Sequence, residues 1–405
     1  MTVTFRVVTA EEHPAYGRAC ALAFGENPVN NEHHARWYAL DPERVFACFE
    51  GDDVVATSRN YSLELTVPGG AILPAAGVSA VTVRATHRRR GLLRRMMGGL
   101  LDDAVARDEP VAMLTASEGS IYERFGFGIS TRHQVIELRS RELEFVRPRP
   151  PGRPRILDDG DAAKVEPALF DRVRRNYPGA VSRPDAWWSD EQYDPRFGTR
   201  VDVVFENPDG VVDGYVCYGI HESFDPGFGS ANRLTVRDLV AATADAHHGL
   251  WRYLGEADLV GAIMAPGEPV DLALPWLLAN NRAMRVKGNT DDVWTRLLDV
   301  PAALGARRYA ATDRLTVAVT DPTRPGGPAE GIFTLEGGPD GAAVTRGGTP
   351  DLSGDVSALS AAWLGGVPCS TLAAAGLLEE HTAGALRRAD QFFASEPQPF
   401  AFTWF

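Results

Sequence analysis

The chain has 405 residues, more than one hydrophobic core usually organises, so two or three domains are expected. Its composition, 44% hydrophobic and 23% charged, is that of a globular protein, and no stretch approaches the roughly 20 apolar residues that span a bilayer, so no membrane association is expected. A formal net charge of -13 argues against nucleic acid as a partner, because phosphate binding needs a basic field, and it suits a cationic small substrate. Cys20, Cys48, Cys217 and Cys369 lie far apart without a Cys-x-x-Cys pair, so neither a metal site nor a disulfide framework is expected, and a reducing cytoplasm fits. The start, residues 1–8, reads as a first strand and not as a signal peptide.

Residues 1 to about 140 alternate strand-like and helix-like segments, the order of an α/β domain. Residues 54–58 and 63–67 read as two hairpin strands, and 75–83 as a longer buried one. Leu92, Leu93, Met96, Met97, Leu100, Leu101, Ala104 and Val105 recur at helical spacing, which predicts an amphipathic helix over 91–107, with a strand resuming at 111–115. The proline- and arginine-rich stretch 146–155 is expected to hold no regular structure and to join two domains. Beyond it, strands at 210–218 and 233–240 and a helix from about Gly249 repeat the first layout, and His248-Gly249-Leu250 echoes Arg90-Gly91-Leu92. After residue 304 the texture changes to short strands at 315–319, 331–335 and 342–345 between glycine-rich turns. Helical segments at 359–364 and 386–393 would cover one face of that small sheet.

The sharpest local pattern is a strand, a short basic turn and a helix, running from Val81 to Arg94 through Arg88-Arg89-Arg90-Gly91. A helix start offers unpaired N–H groups and a positive dipole end, and a glycine there lets a pyrophosphate approach the backbone. Solvated surface charge on an ordinary turn fits the same residues. The pattern resembles the pyrophosphate loop of GCN5-related N-acetyltransferases, Arg/Gln-x-x-Gly-x-Gly/Ala, with Leu93 in place of the last glycine when read from Arg88.

The context extends the resemblance. Residues 111–118 are followed by Ile121-Tyr122-Glu123-Arg124-Phe125-Gly126-Phe127, and Tyr122 matches the tyrosine that the superfamily places beside the departing thiolate. Packing beside Phe125 and Phe127 is the alternative reading of that residue. From Val81 to Gly128, and again at Asp291 to Leu304, the chain resembles the enhanced intracellular survival (Eis) family of acetyltransferases. The resemblance implies an α/β (α+β) fold class with two tandem GCN5-related acetyltransferase folds and a C-terminal sterol-carrier-protein-like domain. The corresponding division is 1–145, catalytic, 146–290, a degenerate copy, and 291–405, whose end is catalytic. It also implies acetyl-coenzyme A as cosubstrate and a homohexamer.

By the same resemblance, Val81, Thr82 and Val83 hold the pantetheine arm, and Arg89, Arg90, Gly91, Leu92, Leu93 and Arg94 hold the phosphates. Ser117 and Glu118 face the reactive end of the cofactor, and Tyr122 is the general acid. The final residues, Phe400 to Phe405, are unusually aromatic, and burying Phe405 carries the α-carboxylate inward. An inward carboxylate is stabilised beside a cationic amine, whose proton it can accept, and the family uses its chain terminus as general base. A tail packed in the last domain with a solvated carboxylate is the other reading. Glu26, Trp37, Ser79, Trp187 and Asp292 are candidates for the acceptor pocket. The expected acceptors are amines of cationic small molecules such as aminoglycosides, with protein lysines or polyamines as an alternative. A non-catalytic protein that binds coenzyme A or lipid is the reading from another class.

Overall fold

A computed structural model describes residues 3–26, 40–158, 160–188, 193–194, 197–225, 229–230 and 232–405. The chain forms two compact units: residues 1–131, 292–399 and 403–405 make the first, and residues 132–291 with 400–402 make the second.

The first unit opens with β1 (Val3–Val7) and α1 (His13–Phe24), followed by β2 (Val45–Glu50), β3 (Asp53–Thr66) and β4 (Ile72–Val83). The two hairpin strands expected at 54–58 and 63–67 are one continuous strand, β3. The polar residues between them are satisfied in place: the Asn60 amide donates to Leu100 O and Asp103 at 2.9 Å each, and the Arg59 guanidinium lies 3.8 Å from the Tyr61 ring centroid. Next come α2 (Leu92–Ala106), β5 (Val111–Thr115) and the two-residue β6 (Gly128–Ile129). Helix α2 lays Met97, Leu100, Leu101 and Ala104 against Ala76, Val78, Ala112 and Leu114 of the sheet. Each large apolar side chain so buried contributes roughly 1.5–3 kcal/mol.

The second unit holds a sheet of its own, built from β7 (Arg132–Arg139), β8 (Arg153–Ile156), β9 (Gly198–Glu206), β10 (Val212–His221), β11 (Asn232–Ala241), β12 (Val260–Pro269) and β13 (Met284–Asp291), in the order β13-β7-β12-β11-β10-β9-β8. Strand β8 lies inside the proline-rich stretch expected to be irregular. It is an edge strand, the position in a sheet that tolerates a proline such as Pro154. Helix α3 (Ala162–Arg174) packs Leu169, Phe170 and Val173 with Val204, Tyr215 and Val240, and α4 (Ala244–Gly255) packs Leu250, Trp251 and Leu254 in a separate cluster. Within this unit Phe402 stacks edge-on against Phe170 and Tyr177, and its carbonyl accepts a 2.6 Å hydrogen bond from Arg183.

The chain then returns to the first unit through β14 (Val293–Leu297), which enters the N-terminal sheet between β5 and β6, giving the order β1-β2-β3-β4-β5-β14-β6. The short helix α5 (Val300–Ala306) leads to a five-stranded sheet of β15 (Asp313–Thr320), β16 (Gly331–Gly338), β17 (Gly341–Arg346), β18 (Leu352–Asp355) and β19 (Leu378–Glu380). Helices α6 (Val356–Ala362), α7 (Cys369–Ala374) and α8 (Ala385–Phe393) accompany it. Every residue of α6 is buried, and the carbonyl of Ser360 accepts from Ser130 Oγ at 2.8 Å and Thr295 Oγ1 at 3.0 Å, tying the last domain to β14. Among the described residues no helix is long and apolar enough to cross a membrane, and no group of His, Cys, Asp and Glu is placed to hold a metal ion.

Candidate active site

Strands β4 and β5 run parallel but pair only from Ala75–Val111 to Gly77–Met113. Beyond Gly77 they part. Ala80 takes a left-handed φ of 53°, the β3–β4 register slips between Thr57 and Arg59, and Leu114 and Thr115 pair with Trp294 and Val293 of β14. A bulge of this kind bends a strand away from its neighbour. The β5-facing backbone of Val81, Thr82 and Val83 is therefore out of the β4–β5 ladder, as a bound amide chain requires. Thr82 Oγ1 lies 2.6 Å from Thr57 Oγ1 on the buried side, which fixes this stretch of β4.

Eight residues, 84–91, join β4 to α2. Arg89 and Gly91 both have left-handed φ, 62° and 77°, and no side chain caps the helix start at Gly91. A Cβ added at Gly91 would meet nothing within 4 Å, so the turn faces open space. Alternating hands in a basic turn point successive N–H groups at one concavity, and the first N–H groups of a helix have no intrahelical acceptor. Arg88, Arg89, Arg90 and Arg94 are exposed around it, with Arg90 3.4 Å from Glu50. Leu92 is buried with Cys48, Val55, Ala56 and Met96, while Leu93 packs on the cluster around Leu100. Both leucine side chains thus turn into the core, and replacing the last glycine of the loop pattern puts no bulk in the turn. The donor set and the open concavity fit a diphosphate.

Tyr122 is buried in the cluster that includes Ala76, Val78, Leu114 and Trp294, edge-on to Phe127 at 6.1 Å. Burial, helped by the Glu118 carboxylate, pushes its phenol up to about 12, so it stays protonated at neutral pH. Phe405 is buried as well, at 6% exposure. A carboxyl oxygen of Phe405 accepts a 2.8 Å hydrogen bond from Thr115 Oγ1, and its ring packs at Gly77, where an added Cβ would come within 3.2 Å of it. Side chains alternate across a strand, so Ala76, Val78 and Leu114 face Tyr122 while Gly77 and Thr115 face Phe405. The phenol and the terminal carboxylate thus approach the gap between β4 and β5 from opposite faces of the sheet.

The remaining candidates are scattered. Ser117 and Glu118 are exposed just beyond β5, Ser79 is half-buried on β4 opposite Arg59, and Glu26 is exposed after α1. Asp292 is buried at the entry to β14, where its N–H donates to Thr131 O at 3.2 Å. Trp187 belongs to the second unit, half-buried in a 3-10 turn, and Trp37 lies outside the described residues. Thr115 and Gly77 were not singled out from the sequence. A hydroxyl ending a strand at a parting of two parallel strands is the signal for the first, and it needs the pairing to be known.

Among the described residues the second unit carries no matching turn. Its β11 and α4 are joined by two residues, Ala242 and Thr243, and the Thr243 hydroxyl accepts from Ala246 N at 3.1 Å to cap the helix, with Asp245 in the first turn. His248 and Gly249, which echo Arg90 and Gly91 in sequence, lie inside α4 and so do not occupy an equivalent turn. Burial holds the neighbouring His247 down to about 4, hence neutral.

Residues 4–130 and 179–303 each match an acetyltransferase (GNAT) domain family, and residues 300–401 match a sterol carrier protein domain family. The chain is 33% identical to N-acetyltransferase Eis of Mycobacterium tuberculosis over 416 aligned residues, covering 98% of each chain. It is 36% identical to an uncharacterized N-acetyltransferase of Streptomyces avermitilis, covering 98% of this chain and 97% of that one. Its fold superposes on the crystal structure of Eis1 from Mycobacterium abscessus with a TM-score of 0.86 at 32% identity, covering all of both chains. Two tandem acetyltransferase folds, a sterol-carrier-like third domain and end-to-end likeness to these enzymes agree: the chain belongs to the Eis family of GCN5-related N-acetyltransferases.

Proposed function

We propose that this acetyltransferase transfers an acetyl group directly to a primary amine of a cationic small molecule, of which aminoglycosides are the leading class. The observation that carries the reading is the buried terminal carboxylate held by Thr115 beside the gap between β4 and β5. Acetyl-coenzyme A, when bound, supplies the activated acetyl group as a thioester. The N–H groups of Arg89 to Arg94 and the guanidinium groups of that turn hold the diphosphate, and the free backbone edge at Val81 to Val83 takes the pantetheine amides. The Phe405 carboxylate accepts the proton of the acceptor ammonium, directly or through water. Tyr122, on the other face, donates to the leaving sulfur. The four cysteines are free and buried, and burial raises their thiols, so none is poised to carry an acyl intermediate.

The net charge of -13 supports a cationic acceptor. The family resemblance supports assembly of six copies, which light scattering of the purified chain checks, and four widely spaced cysteines fit a reducing cytoplasm. The decisive experiment supplies acetyl-coenzyme A with an aminoglycoside, a polyamine and a lysine peptide in turn, following thiol release and product mass. Amine-dependent thiol with an acetylated aminoglycoside is the expected result. Acetylation of the peptide alone would move the substrate class to protein lysines, and thiol release that no amine stimulates would overturn the transfer reading.

A further inference from the structure

A cavity of about 820 Å³ lies along α2 in the first unit. Arg94, Gly98, Leu101 and Asp102 of α2 form one wall, Arg124 and Phe125 a second, and the loop Pro322 to Gly327 of the sterol-carrier-like domain the third. Arg94 stands in the first turn of α2, and from there to Asp102 the wall runs about 12 Å at the rise of an α-helix. Gly98 keeps the wall low, since an added Cβ would meet nothing within 4 Å.

The third wall is built and not incidental. The Asp321 carboxylate accepts from Thr323 Oγ1 at 2.8 Å and from the N–H groups of Thr323 and Arg324 at 3.2 Å each. Asp321 is itself paired with the fully buried Arg296 of β14, at 2.5 Å. The first domain's sheet therefore fixes the loop that presents Arg324. The Arg324 side chain is 24% exposed and its guanidinium donates to Asp102 at 2.6 Å, so it reaches the α2 wall of the cavity. Three guanidinium groups and one carboxylate make the cavity cationic.

The geometry points to this cavity as the seat of the 3′-phosphorylated adenosine of coenzyme A, with Arg324 of the third domain and Arg124 holding the phosphate monoester. The inference rests on the diphosphate lying at the start of α2: a group tethered there and running along the helix passes Arg94 and enters between Arg124 and Arg324. Arginine suits a dianionic phosphate because its planar fork can bind two oxygens at once. The sterol-carrier-like domain would then share in holding the cosubstrate as well as carrying the terminal base.

Isothermal titration of the full chain with coenzyme A and with 3′-dephospho-coenzyme A tests this without turnover. Wild type is expected to bind coenzyme A about tenfold more tightly than the dephospho form, the worth of one charge-assisted phosphate contact. Arg324→Ala should abolish most of that preference while leaving the dephospho form's affinity unchanged, and Arg324→Lys should keep part of it. Arg89→Ala should weaken both ligands alike. An unchanged preference in Arg324→Ala, or none in wild type, would overturn the cavity assignment while the diphosphate site stands. Failure of wild type to bind either ligand would overturn both. Melting temperatures of the variants confirm that each is folded.

Discussion

Replacing Thr115 with valine isolates the contact on which the general-base assignment depends. Valine keeps the branched shape that a strand residue needs and deletes only Oγ1, the atom that donates to the Phe405 carboxyl oxygen at 2.8 Å. A hydrogen bond to a charged acceptor is worth about 1.5–3 kcal/mol. If that energy serves to hold the carboxylate at the gap between β4 and β5, its loss lowers kcat/KM by about 10- to 100-fold. Thr115 pairs with Val293 through the backbone, and the substitution leaves that ladder intact, so the loss is confined to this one hydrogen bond and the melting temperature should fall by only a few degrees. Thr115→Ser, which restores the hydroxyl, should recover most of the rate. The assay is the initial rate of thiol release against acceptor concentration at saturating acetyl-coenzyme A, with coenzyme A affinity measured alongside. Two results refute the reasoning: a valine variant within about twofold of wild type while removal of Phe405 abolishes turnover, or unaltered turnover on removal of Phe405 itself.

Tyr122→Phe should lower kcat by about 100-fold or more with little change in coenzyme A affinity. Because burial pushes the phenol up to about 12, the wild-type pH profile should show no tyrosine-dependent fall between about pH 7 and 9, which steady-state rates across that range will check. A methyl group at Gly77 would sit 2.6 Å from Leu63 Cδ1 and 3.2 Å from the Phe405 ring. Gly77→Ala should therefore destabilise the first unit by about 1–3 kcal/mol and depress kcat, read by denaturant melts and thiol release. In the second unit, burial and then the nearby Asp238 push Glu268 up to about 8, above its ordinary value of 4.5. A carboxyl raised in the fold stays protonated there while the unfolded chain ionises. Its contribution is whole below about pH 4.5 and lost as pH rises to about 8, so denaturant melts of wild type and Glu268→Gln should diverge over that window by up to about 5 kcal/mol, the glutamine form being the more stable at the alkaline end.

What the sequence reveals is what local periodicity encodes. The helix expected over 91–107 spans Leu92–Ala106, and the strand at 111–115 is exact, because their apolar residues recur at one period without interruption. Strand β3 reads as two pieces in the sequence because polar residues separate its apolar runs, and the partners of Arg59 and Asn60, the Tyr61 ring, Leu100 O and Asp103, are known only once the chain is folded. Nothing local marks residues 293–297 as a strand of the first sheet. Their place between β5 and β6 is a pairing across more than 160 positions of sequence, Thr295 with Gly128. The terminal carboxylate was legible from its aromatic neighbours, but its anchor Thr115 was not, because the contact joins residues 290 positions apart.

The second acetyltransferase fold shows by contrast what the first one's turn supplies. Both present a strand followed by a helix, yet the first places eight residues between them and the second only two. Eight residues are enough for two left-handed positions, a run of arginines and a helix start whose N–H groups no side chain has claimed. Two residues allow only a cap, and Thr243 fills that role by bonding the Ala246 N–H, while Asp245 adds a negative charge where a phosphate would have to sit. Exchanging individual side chains would therefore not confer a cofactor site on α4. The difference lies in the length of the connection, and a graft of residues 84–91 between β11 and α4 would be the smallest change that supplies the missing concavity.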